Sequence, residues 1–267
     1  MHALWVFLKD TVNCRVKVTD VVGRTGTCGN SRSYCTEKGS LGFESVRNTG
    51  TPLHKMSLRQ NHARTLLYAL NVGDPSRNIV EMILQRASMN PSKPPRKIKT
   101  ILKVKNSVEV LERFEKYREK VKKKVHKQYE THPRSTVDGN ELLRFYSTTI
   151  VCCSGKSKRI YEFCKDPTCD VCRIIQSNFD TDYTRKYGVR LSTSSEDLRE
   201  NMIATTSGKN MKRAVIVCRT IAGSIVTMGE GDNEDFDSVG SGLPSNLECL
   251  TVRNPHAVLP CFVVVFD

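Results

Sequence analysis

The sequence predicts an α+β domain of antiparallel strands with few helices, preceded by a helical basic segment. Three observations carry this. After residue 135, short apolar runs alternate with Gly, Ser, Asn and Asp breaks. Few of the intervening segments have a helical period, which argues against a doubly wound parallel sheet. Before them lies one strand–helix pair, Ile98–Lys105 and the stretch after Asn106-Ser107. The chain has 267 residues, enough for one large domain with an arm.

Residues 1–72 mix Gly, Ser, Thr, Arg and Cys without periodicity and read as a poorly specified arm. Cys28, Cys35, His54 and His62 do not have the spacing of a two-Cys two-His finger, although the arm could be the remnant of one. From Asp74-Pro75-Ser76 a helix is expected through Ile79, Val80, Met82, Ile83 and Leu84, capped by Asp74 or Ser76. The prolines between Met89 and Pro95 end it. Lys-Ile-Lys-Thr-Ile-Leu-Lys-Val-Lys then reads as a strand with one polar face. The next helix has an apolar stripe of Val108, Leu111, Phe114, Tyr117, Val121 and Val125. Further strands are expected at Leu142–Val151, Gly188–Ser192, Ala214–Ala222, Leu247–Val252 and Pro260–Phe266. Helix is expected around Cys172–Ser177 and Ser194–Met202, and a loop from Gly229 to Ser241.

The formal net charge is +14. Its distribution is uneven: residues 1–92 hold 12 basic and 6 acidic side chains, residues 93–134 hold 15 and 5, and residues 135–267 hold 15 and 17. The basic strand–helix segment, 93–134, thus carries the main polyanion signal. Its candidate nucleic-acid contacts are Lys120, Lys122, Lys123, Lys124 and Lys127, which could equally form a solvated helix end favoured by the helix dipole. No apolar run approaches the ~18–20 residues of a spanning helix. The run Ala3–Leu8 is short for a signal-peptide core. These features lead us to expect a nuclear or cytoplasmic protein, the nucleus favoured by the charge, with no membrane partner.

The 11 cysteines are odd in number, which suits a reducing compartment better than a disulfide framework. Cys152, Cys153, Cys164, Cys169 and Cys172 cluster in a cysteine-rich insertion, 152–172. A Cys-x2-Cys half-site with two further thiols fits a structural zinc, one of Cys152 and Cys153 being the fourth ligand. The alternative is a loop of reduced thiols packing as small hydrophobes.

The ordered part, residues 73–267, resembles the catalytic domain of the poly(ADP-ribose) polymerases. Ile98-Lys-Thr-Ile-Leu-Lys-Val-Lys-Asn-Ser with Leu111-Glu-Arg-Phe-Glu-Lys-Tyr is similar to its opening strand and helix. Asn140-Glu-Leu-Leu-Arg-Phe-Tyr-Ser-Thr148 resembles the Asn-Glu-x-x-Leu-Phe-His-Gly-Ser/Thr strand of the tankyrase branch. Gly188-Val-Arg-Leu-Ser192 stands where that family has Gly-Ile-Tyr-Phe-Ala, and Ala214-Val-Ile-Val-Cys-Arg-Thr-Ile-Ala-Gly223 is similar to Met-Leu-x-Cys-Arg-Val-x-x-Gly. Phe236-Asp-Ser-Val239, Glu248-Cys-Leu-Thr-Val-Arg253 and the segment from Asn254 follow in the family's order. Gly-Asp-Pro-Ser-Arg-Asn-Ile-Val-Glu and Asn-Pro-x-Ala-x-Leu-Pro-Cys-Phe-Val-Val resemble a plant branch that couples a two-Cys two-His finger to such a domain.

The resemblance implies an ADP-ribosyltransferase-like fold of split antiparallel sheets, NAD as cofactor, and a His, Tyr, Glu triad. Carried onto this chain, the catalytic positions are Tyr146, Arg190 and Glu248. The cofactor-contacting positions are Phe145, Tyr146, Ser147, Gly188 and Arg190. Two of the three triad residues differ. Tyr146 keeps one hydrogen-bond donor, whereas a guanidinium at 190 would be repelled by the cationic nicotinamide ring. Losing two good contacts costs about 2–4 kcal/mol, or roughly 30- to 1000-fold in affinity. The expectation is therefore a non-catalytic or weakly active regulatory or binding module with unknown protein partners. An active mono-ADP-ribosyltransferase relying on Glu248, and a zinc-containing nucleic-acid binder, stand as alternatives.

Overall fold

The computed structural model describes residues 64–88, 96–125, 133–152, 160–161, 163–196, 211–227, 236–243 and 246–267. The fold is α+β. Its strands are β1 (Leu66–Ala69), β2 (Ile98–Lys105), β3 (Glu141–Ile150), β4 (Ile160–Tyr161) and β5 (Val189–Ser192). They continue as β6 (Lys212–Ile221), β7 (Ile225–Thr227), β8 (Ser238–Leu243), β9 (Asn246–Val252) and β10 (Val258–Phe266). The helices are α1 (Pro75–Arg86), α2 (Val108–Val125), α3 (Pro133–Asp138), α4 (Asp170–Ser177) and α5 (Asp182–Tyr187).

The strands form one 10-stranded sheet in the order β4-β1-β2-β10-β6-β3-β5-β9-β8-β7. Every pairing is antiparallel except β7 with β8. One joint is much weaker than the rest. β3 meets β5 through a single residue pair, Phe145 with Ser192, whereas β3 and β6 are laddered from Glu141 to Ile150. The strands on either side of that joint therefore form two laddered groups held by one link.

Each face of the sheet buries its own apolar set. Val80, Ile83 and Leu84 of α1 pack with Ile101, Phe145, Val217, Phe262 and Val264. The larger core joins α2 and α4 to Ile150, Val189, Leu191, Ile216 and Leu250. Alternate residues of β3 and β6 divide between the two, as a period of two requires, whereas β5 and β9 give apolar side chains to the larger core alone. β10 is buried along its whole length, as befits a strand laddered on both sides, to β2 and β6, and covered on both faces.

Local chemistry accounts for the helix starts. Asp74 caps α1: its Oδ1 accepts the Ser76 N–H at 2.8 Å, and Pro75 occupies the first turn, where no N–H is needed. The Ser107 hydroxyl accepts the Val110 N–H at the start of α2. The buried stripe of α2 is Val110, Phe114, Tyr117 and Val121, whereas Val108, expected in that stripe, is 48% exposed. At about 100° per residue, Val108 and Val110 lie roughly 200° apart and cannot both face the core.

One buried ion network ties helices to sheet. The Arg219 Nε of β6 donates to Glu141 Oε1 of β3 at 2.5 Å, and Arg118 of α2 donates to Glu141 Oε2 at 2.7 Å. The Phe114 ring lies near both guanidinium groups, 5.1 Å from Arg118 and 5.3 Å from Arg219. Arg134 of α3 adds a bond to the Glu141 carbonyl at 2.7 Å.

Besides α3, β4 and β7, which the sequence does not announce, three elements differ from sequence expectation. Leu66–Ala69, placed in the unspecified arm, forms β1 and pairs with β2. Ser238–Ser241, placed in the acidic loop, belongs to β8, because β9 and β7 supply partners that the segment's own composition does not advertise. Helix α5 was not foreseen, and its start is set by a capping box between Thr181 and Thr184. Most of the helix expected at Ser194–Met202 lies outside the described residues, as do Cys28, Cys35, His54 and His62.

Candidate functional site

The positions singled out by resemblance gather around the β3–β5 joint but divide between the two sheet faces. Phe145 is 3% exposed and belongs to the α1-side core. Tyr146 turns to the other face, packing on the larger core, with its ring edge-on to Phe179 at 5.1 Å between centroids. Ser147 returns to the Phe145 face, and its Oγ is buried without a hydrogen-bond partner.

On β5, Val189 and Leu191 enter the larger core, so Arg190 between them points to the opposite face. Arg190 is exposed, sits across from Thr251 and brings Nη2 to 3.7 Å from Cys249 Sγ. Tyr146 and Arg190 therefore leave the sheet on opposite faces. Glu248 alternates with Cys249 and so shares the Tyr146 face. Its side chain is exposed, while its carbonyl accepts the Thr193 N–H at 3.0 Å and hydroxyl at 3.1 Å. The structure thus brings Tyr146 and Glu248 to one face and leaves Arg190 on the other.

Gly188 has a structural reason independent of any cofactor. Its φ is +77°, and a Cβ there would lie 2.6 Å from the Val252 carbonyl oxygen of β9.

Phe179 is a site residue that the sequence reading missed. It follows α4 with φ +63°, next to Asn178 at φ +49°, and is 1% exposed. An aromatic residue in the left-handed region is uncommon and strained. Its N–H closes the helix end on the Ile174 carbonyl at 3.1 Å, and its ring is thereby held against Tyr146. The pair Asn178-Phe179 after a helical period was the available signal.

The second constellation is the cysteine insertion. Cys152, just past β3, meets Cys164, Cys169 and Cys172 so that all four sulfurs lie within 4.8 Å of one another. Cys152 Sγ is 3.5 Å from Cys172 Sγ and 3.8 Å from Cys169 Sγ. A tetrahedron with Zn–S bonds of about 2.3 Å has S···S edges of about 3.8 Å. Four cysteines therefore stand where they can hold a metal ion, and Cys152 occupies the fourth corner that the sequence left between it and Cys153. Cys153 lies outside the described residues.

The scaffold of the cluster is built by short-range bonds. Asp166 Oδ1 accepts the Thr168 N–H at 2.9 Å and closes the turn between Cys164 and Cys169. Cys169 precedes α4, Cys172 lies in its first turn, and Thr149 Oγ1 of β3 donates to Asp170 Oδ2 at 3.1 Å. The neighbouring Cys152 and Cys169 thiols, together with burial, raise the Cys172 pKa, and burial is the main cause that raises that of Cys164. Crowded thiols resist ionising together, and a bound divalent cation reverses this by stabilising the thiolates.

The lysines of α2 are spread along the helix. Lys122 pairs with Glu119 at 2.9 Å and Lys124 with Asp237 at 3.6 Å, while Lys120 and Lys123 are exposed. Lys127 lies outside the described residues. Among the described residues, no helix is long and apolar enough to cross a membrane.

No protein-family model matches the chain, and a search of curated proteins finds no match.

Proposed function

We propose that this chain carries an ADP-ribosyltransferase-like domain that serves as a binding or regulatory module rather than an efficient transferase, with a structural zinc held by Cys152, Cys164, Cys169 and Cys172. The observation that carries the non-catalytic reading is the division of Tyr146 and Arg190 between opposite faces of the sheet. A nicotinamide held on one face could not be contacted by both side chains. The single-pair joint between β3 and β5 supports a split-sheet architecture, since it lets two laddered groups part along one line.

Zinc is favoured by the donor set. Four thiolates are soft ligands, and closed tetrahedral sulfur sites are structural rather than catalytic. The metal would tie the end of β3 to α4, and so fix Phe179 against Tyr146.

A weakly active mono-ADP-ribosyltransferase is the second reading, favoured by the exposure of Glu248 on the Tyr146 face. Incubation of the full chain with labelled NAD, beside a thermal-shift titration, separates the two. Neither label nor shift supports the binding module. Self-modification that disappears in Glu248→Gln would establish the transferase instead. Metal analysis of the purified full chain is expected to give about one zinc per chain; less than about half an equivalent would remove the zinc assignment.

A further inference from the structure

Arg144 lies between Leu142 and Tyr146 on one face of β3, opposite Cys218 of β6. Leu142, Tyr146 and Cys218 all belong to or pack on the larger apolar core. In that setting the guanidinium is poorly matched. Nη1 donates to the adjacent Leu143 carbonyl at 2.9 Å, and Nε is buried without a partner. No carboxylate among the described residues bonds or pairs with it. Burial pushes its pKa down to about 10 with no opposing charge to raise it.

The same sheet shows what a matched buried arginine looks like. Arg219 is 1% exposed and is met by both carboxylate oxygens of Glu141, at 2.5 and 3.3 Å. A second unmatched group lies near Arg144. Thr220 pairs with Leu142, one position along the same face, so it is the diagonal neighbour of Arg144. Its Oγ1 is buried and also lacks a hydrogen-bond partner. An unpaired guanidinium in an apolar setting is costly unless an anion meets it. Beside this stretch of β3, the ladder to β5 is confined to the single pair Phe145–Ser192.

We infer that Arg144 anchors an oxyanion-binding site on the Tyr146 face of β3, where its Nε and Nη2 donate as a fork to a phosphate or carboxylate of a small ligand. Thr220 Oγ1 supplies a neutral donor on the inner side. The site stands on β3 and β6 alone and is independent of the transferase-like assignment. It can be present whether or not NAD binds.

The test uses the full chain with inorganic pyrophosphate, inorganic phosphate and succinate at matched ionic strength, read by melting temperature and calorimetry. At least one probe is expected to bind and raise the melting temperature, since a ligand that prefers the folded state stabilises it. Pyrophosphate or phosphate alone would identify a phosphate site, and succinate alone a carboxylate site. Arg144→Gln should bind at least about tenfold more weakly, and Arg144→Lys, which keeps the charge without the fork, should fall between. Arg144→Met preserves side-chain length should R144Q fail to fold, and without ligand it should melt at or above the wild-type temperature. The inference is overturned if no probe binds the wild-type chain, if binding survives in the variants, or if both R144Q and R144M unfold, because Arg144 would then hold up the fold rather than a ligand.

Discussion

Cys152 Sγ, just beyond the end of β3, lies 3.5 Å from Cys172 Sγ in the first turn of α4, 20 positions further along the chain. Two more thiols complete the cluster, so the insertion has one geometric centre and α4 is anchored beside it.

On the zinc assignment proposed above, metal removal is expected to loosen α4 together with what α4 holds. Cys172→Ser, or chelation of the wild-type chain, is expected to release the metal and cost on the order of 3 kcal/mol or more. Thermal unfolding measures the loss. Near-ultraviolet circular dichroism should change as well, because Phe179 then leaves Tyr146. Substitution with cobalt should give the strong thiolate charge-transfer absorption of a four-sulfur site, and its absence would count against the cluster as a tetrahedral centre.

Glu141 is the hub of the buried ion network, meeting Arg219 and Arg118. Glu141→Gln leaves two guanidinium groups short of one negative charge, with Arg219 fully buried. A loss of about 3–5 kcal/mol is expected from urea unfolding, the usual consequence of removing one partner of a buried pair. Arg219→Met combined with Glu141→Leu should recover part of it by removing both buried charges.

Gly188→Ala should destabilise by about 2–4 kcal/mol whether or not any nucleotide is present, since the new Cβ meets the Val252 carbonyl in a backbone region that favours glycine. If the loss appeared only in ligand affinity, with unfolding unchanged, the close approach of β9 would not be what holds this glycine.

Alkaline pH should weaken the fold through its buried thiols. Burial pushes the Cys261 thiol up to about 12 from an ordinary value of 9.0, and raises Cys218 too. The folded state thus keeps these protons to higher pH than the unfolded state. Their contribution is intact below about pH 9 and declines as pH rises from there toward 12, by about 1.4 kcal/mol per pH unit for each thiol. Urea midpoints across that range, compared with those of Cys261→Ala, check the slope. An unchanged slope in the variant would refute the assignment.

Much of the element pattern is legible along the chain. Asp74-Pro75-Ser76 announces α1 by its own side chains, and the Lys-alternating Ile98–Lys105 announces β2 by its period of two. The class, α+β, follows from such local signals. So does the grouping of cysteines, because ligands close in sequence need no long-range fold to be noticed. Other features carry no local mark. Leu66–Ala69 is a strand because β2 offers it an edge, and Ser238–Ser241 because β9 does.

The sequence by itself determined that the chain holds an α+β domain, a basic block ending near residue 134 and a four-thiol candidate centre. Tertiary structure alone decided three things: that Cys152 stands with Cys164, Cys169 and Cys172, that Arg190 leaves the sheet on the face opposite Tyr146, and that among the described residues no carboxylate meets Arg144 as Glu141 meets Arg219. The reason is common to all three. A side chain's identity is written in the chain, but the face it takes and the partner it meets depend on strand register, which is fixed by segments tens of residues away.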